Sequence, residues 1–307
     1  MKPKVLLAGG TGYIGKYLSE VIENDAELFT ISKYPDNKKT DDVEMTWIQC
    51  DIFHYEQVVA AMNQIDIAVF FIDPTKNSAK ITQSSARDLT LIAADNFGRA
   101  AAINQVKKVI YIPGSRYDNE TIERLGAYGT PVETTNLVFK RSLVNVELQV
   151  SKYDDVRSTM KVVLPKGWTL KNVVNHFIAW MGYTKGTFVK TEKSHDQFKI
   201  YIKNKVRPLA VFKIEETADG IITLILLSGS LVKKYTVNQG ELEFRLIKES
   251  AVVYIHLYDY IPRLFWPIYY FIQAPIQKMM IHGFEVDCRI KDFQSRLKSG
   301  ENMKYTK

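Results

Sequence analysis

Residues 5–18 read VLLAGGTGYIGKYL, and this stretch decides the fold. An apolar run, Val5–Ala8, ends at Gly9, and Gly12 and Gly15 follow at intervals of three. Val5–Ala8 reads as a strand and Gly15–Asn24 as the helix after it. A glycine triplet between a strand and a helix is the context that a dinucleotide-binding loop needs. Gly9 permits the tight turn, Gly12 lets the backbone approach a pyrophosphate, and Gly15 lets the helix pack closely on the strand. The anion then sits at a helix N-terminus, where unpaired N–H groups and the helix dipole favour it. The bland alternative is a plain strand-to-helix turn.

The following residues keep the same rhythm. Leu28–Ser32 and Thr46–Cys50 read as strands, Tyr55–Asn63 as a helix with Val58, Val59 and Met62 on one face. Ile67–Ile72 is an unbroken apolar run, as a strand buried on both faces requires. Ala86–Asn104 is helical, Val109–Pro113 is a fifth strand, and Thr134–Ser151 reads as a helix. Strands alternating with helices imply a doubly wound parallel sheet, an α/β fold.

Composition bounds the rest. The chain has 307 residues, 46% hydrophobic and 24% charged, as a globular chain with a sizeable core has. The two cysteines, Cys50 and Cys288, match neither a metal spacing nor a disulfide framework, which points to a reducing, cytoplasmic compartment. No n-region with an apolar core opens the chain, so no signal peptide is expected. Residues 1–150 carry 16 Lys+Arg against 19 Asp+Glu, and residues 151–307 carry 25 against 15. That shift separates two units with different surfaces. The basic half suits an anionic ligand or surface, or is a solvated face, and no nucleic-acid motif accompanies it.

The spacing Gly9-Gly10-Thr11-Gly12-Tyr13-Ile14-Gly15 resembles the short-chain dehydrogenase/reductase superfamily in its extended and atypical branches. The resemblance implies further cofactor-binding positions. The second strand ends Ile31-Ser32-Lys33, with no carboxylate for a ribose; a small hydroxyl and a cation suit a 2′-phosphate, which implies NADP rather than NAD. Asp51 and Ile52 match the pair that holds the adenine ring. Asp73 and Pro74 fall over the ribose and pyrophosphate. Ser115, in Pro113-Gly114-Ser115, falls where the family's catalytic Ser or Thr sits.

Two departures qualify the match. Catalytic members carry Tyr-x-x-x-Lys on the helix after the fifth strand, where the lysine lowers the tyrosine's pKa for proton transfer. Residues four after Tyr111, Tyr117, Tyr128 and Tyr153 are Ser115, Thr121, Val132 and Arg157, so the pair is missing. The parallel sheet also reads as trimmed to five strands, as in NmrA-like and related atypical members, several of which bind NADP as sensors.

The second half has a different pattern. Met160–Leu164 is a strand, and Leu170–Met181 is a helix with Val173, Val174, Phe177, Ile178 and Met181 on one face. Alternating strands follow around Asp219-Gly220 and Gln239-Gly240, as in antiparallel hairpins. Leu264–Lys298 closes the chain as a long helical region. This order resembles the START-like, polyketide-cyclase-like helix-grip fold, which implies a hydrophobic small molecule held between sheet and helix. The domain division is therefore 1–153, dinucleotide-binding, and 154–307, helix-grip. His176, His195, His256 and His282 have no metal-ligand spacing, and no metal is expected.

Residues 261–281 are rich in aromatics, but Arg263, Pro262, Pro267, Pro275 and Lys278 interrupt any transmembrane span. The segment reads as a helix on the sheet or as a peripheral membrane contact. Two functions stay open: an NADP-dependent oxidoreductase in which Ser115 polarises a hydrophobic carbonyl or quinone-like substrate, and a non-catalytic NADP(H)-binding sensor. Oligomeric state is not legible.

Overall fold

The computed structural model describes residues 2–10, 13–33, 44–73, 79–136, 155–183, 189–230, 233 and 239–301. The expected Thr11, Gly12, Pro74, Tyr153 and most of the helix beginning at Thr134 lie outside them. The chain forms two compact units: residues 1–78 with 85–150, and residues 79–84 with 151–307.

In the first unit the strands are β1 (Lys4–Ala8), β2 (Glu27–Ser32), β3 (Met45–Gln49), β4 (Ile67–Phe70), β6 (Lys108–Tyr111) and β7 (Val132–Thr134). They lie in the order β3-β2-β1-β4-β6-β7, every pair parallel. Helices α1 (Tyr13–Ile22), α2 (Tyr55–Ala61), α3 (Ala86–Ile103) and α4 (Asp118–Gly126) make the crossovers. Alternation sorts the central strands between two cores. Val5, Leu7, Val69 and Phe71 meet Ile14, Leu18 and Ile22 on one side. On the other, Phe70 meets Phe97 of α3 edge-on, ring centroids 5.0 Å apart.

The expectation of five strands is corrected here, because β7 extends the sheet. Val109 pairs with Val132, and its N–H donates to the Pro131 carbonyl at 2.9 Å. Thr134, expected to open a helix, is the last residue of that strand. The crossover α4 escaped notice because it is polar and buries only Thr121 and Leu125.

The second unit is built on an eight-stranded sheet. Its strands are β5 (Ile81–Gln83), β8 (Val156–Val163), β9 (Val189–Ser194), β10 (Gln197–Ile202), β11 (Pro208–Ala218), β12 (Ile221–Ser228), β13 (Glu241–Leu246) and β14 (Val252–Tyr260). The order is β5-β8-β14-β13-β12-β11-β10-β9. All pairs are antiparallel except β5 with β8. The Asp219-Gly220 turn joins β11 to β12, with Gly220 in the left-handed region at φ +71° beside a register shift at Glu216/Ala218.

Helix α5 (Leu170–Tyr183) and the C-terminal α7 (Ala274–Lys298) contribute to the core on one face of this sheet. Phe177 meets Phe244 at 5.2 Å and Phe284 at 5.1 Å, and Phe198 stacks on Phe212 at 5.1 Å. Asp287 reads as a surface charge, yet its carboxylate meets His176 Nε2 at 2.5 Å and ties α7 to α5. A short helix, α6 (Trp266–Ile268), leads through a π turn at Tyr269–Gln273 into α7. Pro275, which has no N–H to give a preceding turn, follows that widened turn directly.

On β13 and β14 the opposite faces bury polar side chains, among them Glu243, Arg245 and His256. Arg245 grips Glu243 through Nε–Oε1 at 2.8 Å and Nη2–Oε2 at 2.9 Å, two residues apart on β13. Tyr258 donates to Glu241 at 2.6 Å, and burial raises its phenol well above the ordinary value. Asp259, at φ +52°, sits where the β14–β8 register shifts. The alternation that would separate it from His256 is therefore broken.

Phe284 is fully buried among Phe177, Trp180 and His176. Phe284→Ala is expected to lower stability by about 3–5 kcal/mol, the cost of an aromatic core cavity, as read from the urea unfolding midpoint at unchanged slope.

Candidate dinucleotide site

The candidate residues that the structure describes gather at the carboxyl ends of the parallel strands, where the order reverses between β1 and β4. In open α/β sheets that edge is where ligands bind. Gly9 leaves β1 at φ +123°, a conformation that L side chains rarely adopt. A Cβ there would stand 2.8 Å from the Phe71 ring. A Cβ on Gly10 would strike the Thr30 side chain, whose hydroxyl donates to the Leu7 carbonyl at 2.9 Å. A Cβ on Gly15 would strike the backbone of Gly10. The loop is thus pressed against the sheet, and Tyr13 opens α1 above it. Ile14 packs into the core beside Val5 and Leu7. The tight fit at Gly10 was not singled out in the sequence, since its partner Thr30 lies on another strand.

The second group sits after β2 and β3. Lys33 Nζ lies 3.0 Å from Asp51 Oδ2, and both side chains are largely buried. Asp51 Oδ1 also accepts the Phe53 N–H at 3.1 Å, and the Asp51 N–H donates to Gln57 Oε1 at 2.9 Å. The Ile52 carbonyl accepts from Asn96 Nδ2 at 2.9 Å. Helices α2 and α3 therefore both fasten the Asp51-Ile52 turn. Ser32 closes β2 next to Lys33, and Asp73 follows β4, both half-buried. Cys50 precedes Asp51, and burial, with Asp51 adding to it, pushes its thiol far up. A thiol held protonated is no nucleophile.

The third group follows β6. Asp118, the first residue of α4, collects the loop. Its carboxylate accepts the Tyr111 hydroxyl at 2.5 Å, the Gly114 N–H at 3.1 Å and the Ser115 N–H at 2.9 Å. Ser115 Oγ accepts the Tyr117 N–H at 3.2 Å. Ser115 therefore shapes a helix entry, and Asp118 is the organiser that sequence reasoning missed. An acidic residue opening a helix after Pro-Gly-Ser is a recognisable start signal. The Tyr128 hydroxyl donates to Asp95 Oδ1 at 2.8 Å, and Arg99 grips the other oxygen of that carboxylate at 2.8 Å. So Tyr111 and Tyr128 both spend their protons on carboxylates. No group of metal-ligating side chains occurs among the described residues.

The donor set fits a dinucleotide. The cradle exists only where a Cβ is absent, it meets a helix N-terminus, and a polar turn follows each neighbouring strand. The family described as "NAD dependent epimerase/dehydratase family" matches residues 5–121. A curated protein of Staphylococcus aureus (strain NCTC 8325 / PS 47), described as "Auxiliary protein GraX", is 99% identical over 307 residues, all of both chains. Among solved structures, a nucleoside-diphosphate-sugar epimerase from Staphylococcus aureus is 18% identical, with a TM-score of 0.36, over 43% of this chain and 49% of that one. The Bordetella bronchiseptica enzyme WbmG in complex with NAD is 14% identical, with a TM-score of 0.35, over 44% and 52%. The chain spans about half the length of these solved structures.

Two outcomes follow. Asp118→Ala strips partners from Tyr111, Gly114 and Ser115 and is expected to cost about 2–3 kcal/mol in chemical unfolding. Cys50 is buried with its thiol raised, and Cys288 is buried with its thiol pushed up to about 12. Neither is expected to take up iodoacetamide at pH 8 in the native state, whereas both react in denaturant; mass spectrometry reads the difference.

Proposed function

We propose that this chain, whose residues 5–121 match the NAD dependent epimerase/dehydratase family, is an NADP(H)-binding sensor of the NmrA-like, atypical kind rather than a turnover enzyme. Binding of a dinucleotide is the family's property. The preference for NADP and the absence of catalysis are our reading. Gly9, Thr11, Gly12, Tyr13, Ile14 and Gly15 hold the pyrophosphate, Asp51 and Ile52 the adenine, Asp73 and Pro74 the ribose. Ser32 and Lys33 take the 2′-phosphate. When bound, the cofactor would supply a hydride.

One observation carries the non-catalytic reading. The phenols that follow the fifth strand among the described residues and could give up a proton are already engaged: Tyr111 donates to Asp118 and Tyr128 to Asp95. That the 99% identical relative is known as an auxiliary protein supports the same reading. A second reading rests on Ser115 alone. Because its oxygen only accepts from Tyr117, its own proton can still be donated to a hydrophobic carbonyl or quinone-like substrate, which keeps an NADP-dependent oxidoreductase in view.

We assign the dinucleotide to residues 1–153 and a START-like helix-grip role to residues 154–307. In that second unit Phe177 packs directly against both Phe244 and Phe284. A hydrophobic small molecule between sheet and helix would have to displace them.

Calorimetric titration with NADPH and NADH tests the site. Lys33→Ala is expected to weaken NADPH about tenfold, as the loss of one charge-assisted bond implies, and to leave NADH within about twofold. A reduced-nicotinamide absorbance that stays constant over a panel of quinones and aldehydes supports the sensor. Its decay makes the chain a reductase.

A further inference from the structure

The outward face of residues 265–279 has no role in the dinucleotide site. Its inward side is ordinary core: Tyr269 and Ala274 are buried with Val156, Tyr260 and Leu226, and Gln273 donates to the Tyr260 hydroxyl at 2.8 Å. The opposite side exposes Phe265 by 71%, Phe271 by 75% and Met279 by 69%, with Ile268, Ile272 and Ile276 about half exposed. Ile268, Phe271, Ile272, Ile276 and Met279 recur at spacings of three and four, so they form one stripe. A contiguous apolar stripe of this size on a surface marks an interaction site.

Charge decides the occupant. No Asp or Glu occurs from residue 260 to residue 284, while Arg263 and Lys278 stand exposed along that stretch. Lys80 adds a third cation, its ammonium 4.3 Å from the Trp266 ring. Residues 151–307, which include this stripe, carry the chain's excess of 25 basic over 15 acidic side chains. No described helix is long and apolar enough to cross a membrane. An acid-free apolar stripe with Trp and Tyr at its flanks and cations beside it is the composition of a helix that lies in the plane of a lipid headgroup layer.

We propose that the outward face of residues 265–279 docks the protein on an anionic lipid membrane. Phe271, Ile272, Ile276 and Met279 enter the acyl boundary, and Arg263, Lys278 and Lys80 meet lipid phosphates. Attraction to the anionic surface decays within a Debye length, so salt weakens it.

The test is co-sedimentation of the full chain with vesicles of phosphatidylglycerol or of phosphatidylcholine. Binding is expected to phosphatidylglycerol, at least tenfold weaker to phosphatidylcholine, and to fall several-fold between 50 and 300 mM salt, roughly as screening predicts. The double variant Phe271→Asp, Ile272→Asp loses about tenfold or more, with an unchanged unfolding midpoint because both side chains are exposed. Should that variant fail to fold, Met279→Glu repeats the test on the next turn. Arg263→Gln with Lys278→Gln weakens phosphatidylglycerol binding and flattens its salt dependence. Absence of wild-type binding, or variants that bind as tightly as the wild type, overturns the proposal. A lipid-free dimer that these substitutions convert to monomer overturns it too, and gives the face to a second copy of the chain.

Discussion

The first unit depends on a contact with no side chain in it: Gly15 against the backbone of Gly10. Helix α1 can lie close over the end of β1 only because neither residue carries a Cβ there. That closeness aims the helix N-terminus at the mouth of the sheet and brings Gly9 against Phe71. The glycine loop is therefore shaped by packing before it is shaped by hydrogen bonding. Polar groups come second and are spent on positioning. Asp51 holds the turn after β3 and Asp118 the turn after β6, each through bonds to backbone N–H groups. These two carboxylates are the fasteners of the loops.

The second unit solves the opposite problem. Its sheet turns an aromatic and aliphatic side to two helices, and the opposite face of β13 buries charge. A buried pair such as Arg245–Glu243 is costly to desolvate and is held by two parallel bonds that repay much of that cost. Removing either partner would leave the other stranded, so these residues constrain one another more than they stabilise the fold.

The glycine loop, the alternation of β1 to β4 and the Asp219-Gly220 hairpin were legible because each depends on residues adjacent in the chain. The strand ends after β1, β2, β3 and β4 followed from the same local pattern. What stayed hidden depends on partners far away. Strand β7 is three residues long and owes its existence to β6. Helix α4 buries too little to show a period. The Lys33–Asp51 pair joins two strand ends that no spacing relates. The burial of Glu243 and Arg245 reverses the ordinary reading of an alternating strand, in which the charged positions face water.

One feature of the chain path bears on biosynthesis. The segment holding β5 is written within the first unit's sequence yet zips onto β8, which is encoded well after it. On the ribosome, at about 5–20 residues per second, that edge strand emerges seconds before the strand it must pair with. Its Lys80 and Ile81 N–H groups, which end up directed at the Asp155 carbonyl, must wait in water meanwhile. The parallel sheet can close around a gap in its own sequence, but the later sheet cannot finish its edge without borrowing from a neighbour already made. Neither unit can therefore be cut out as one uninterrupted stretch of gene.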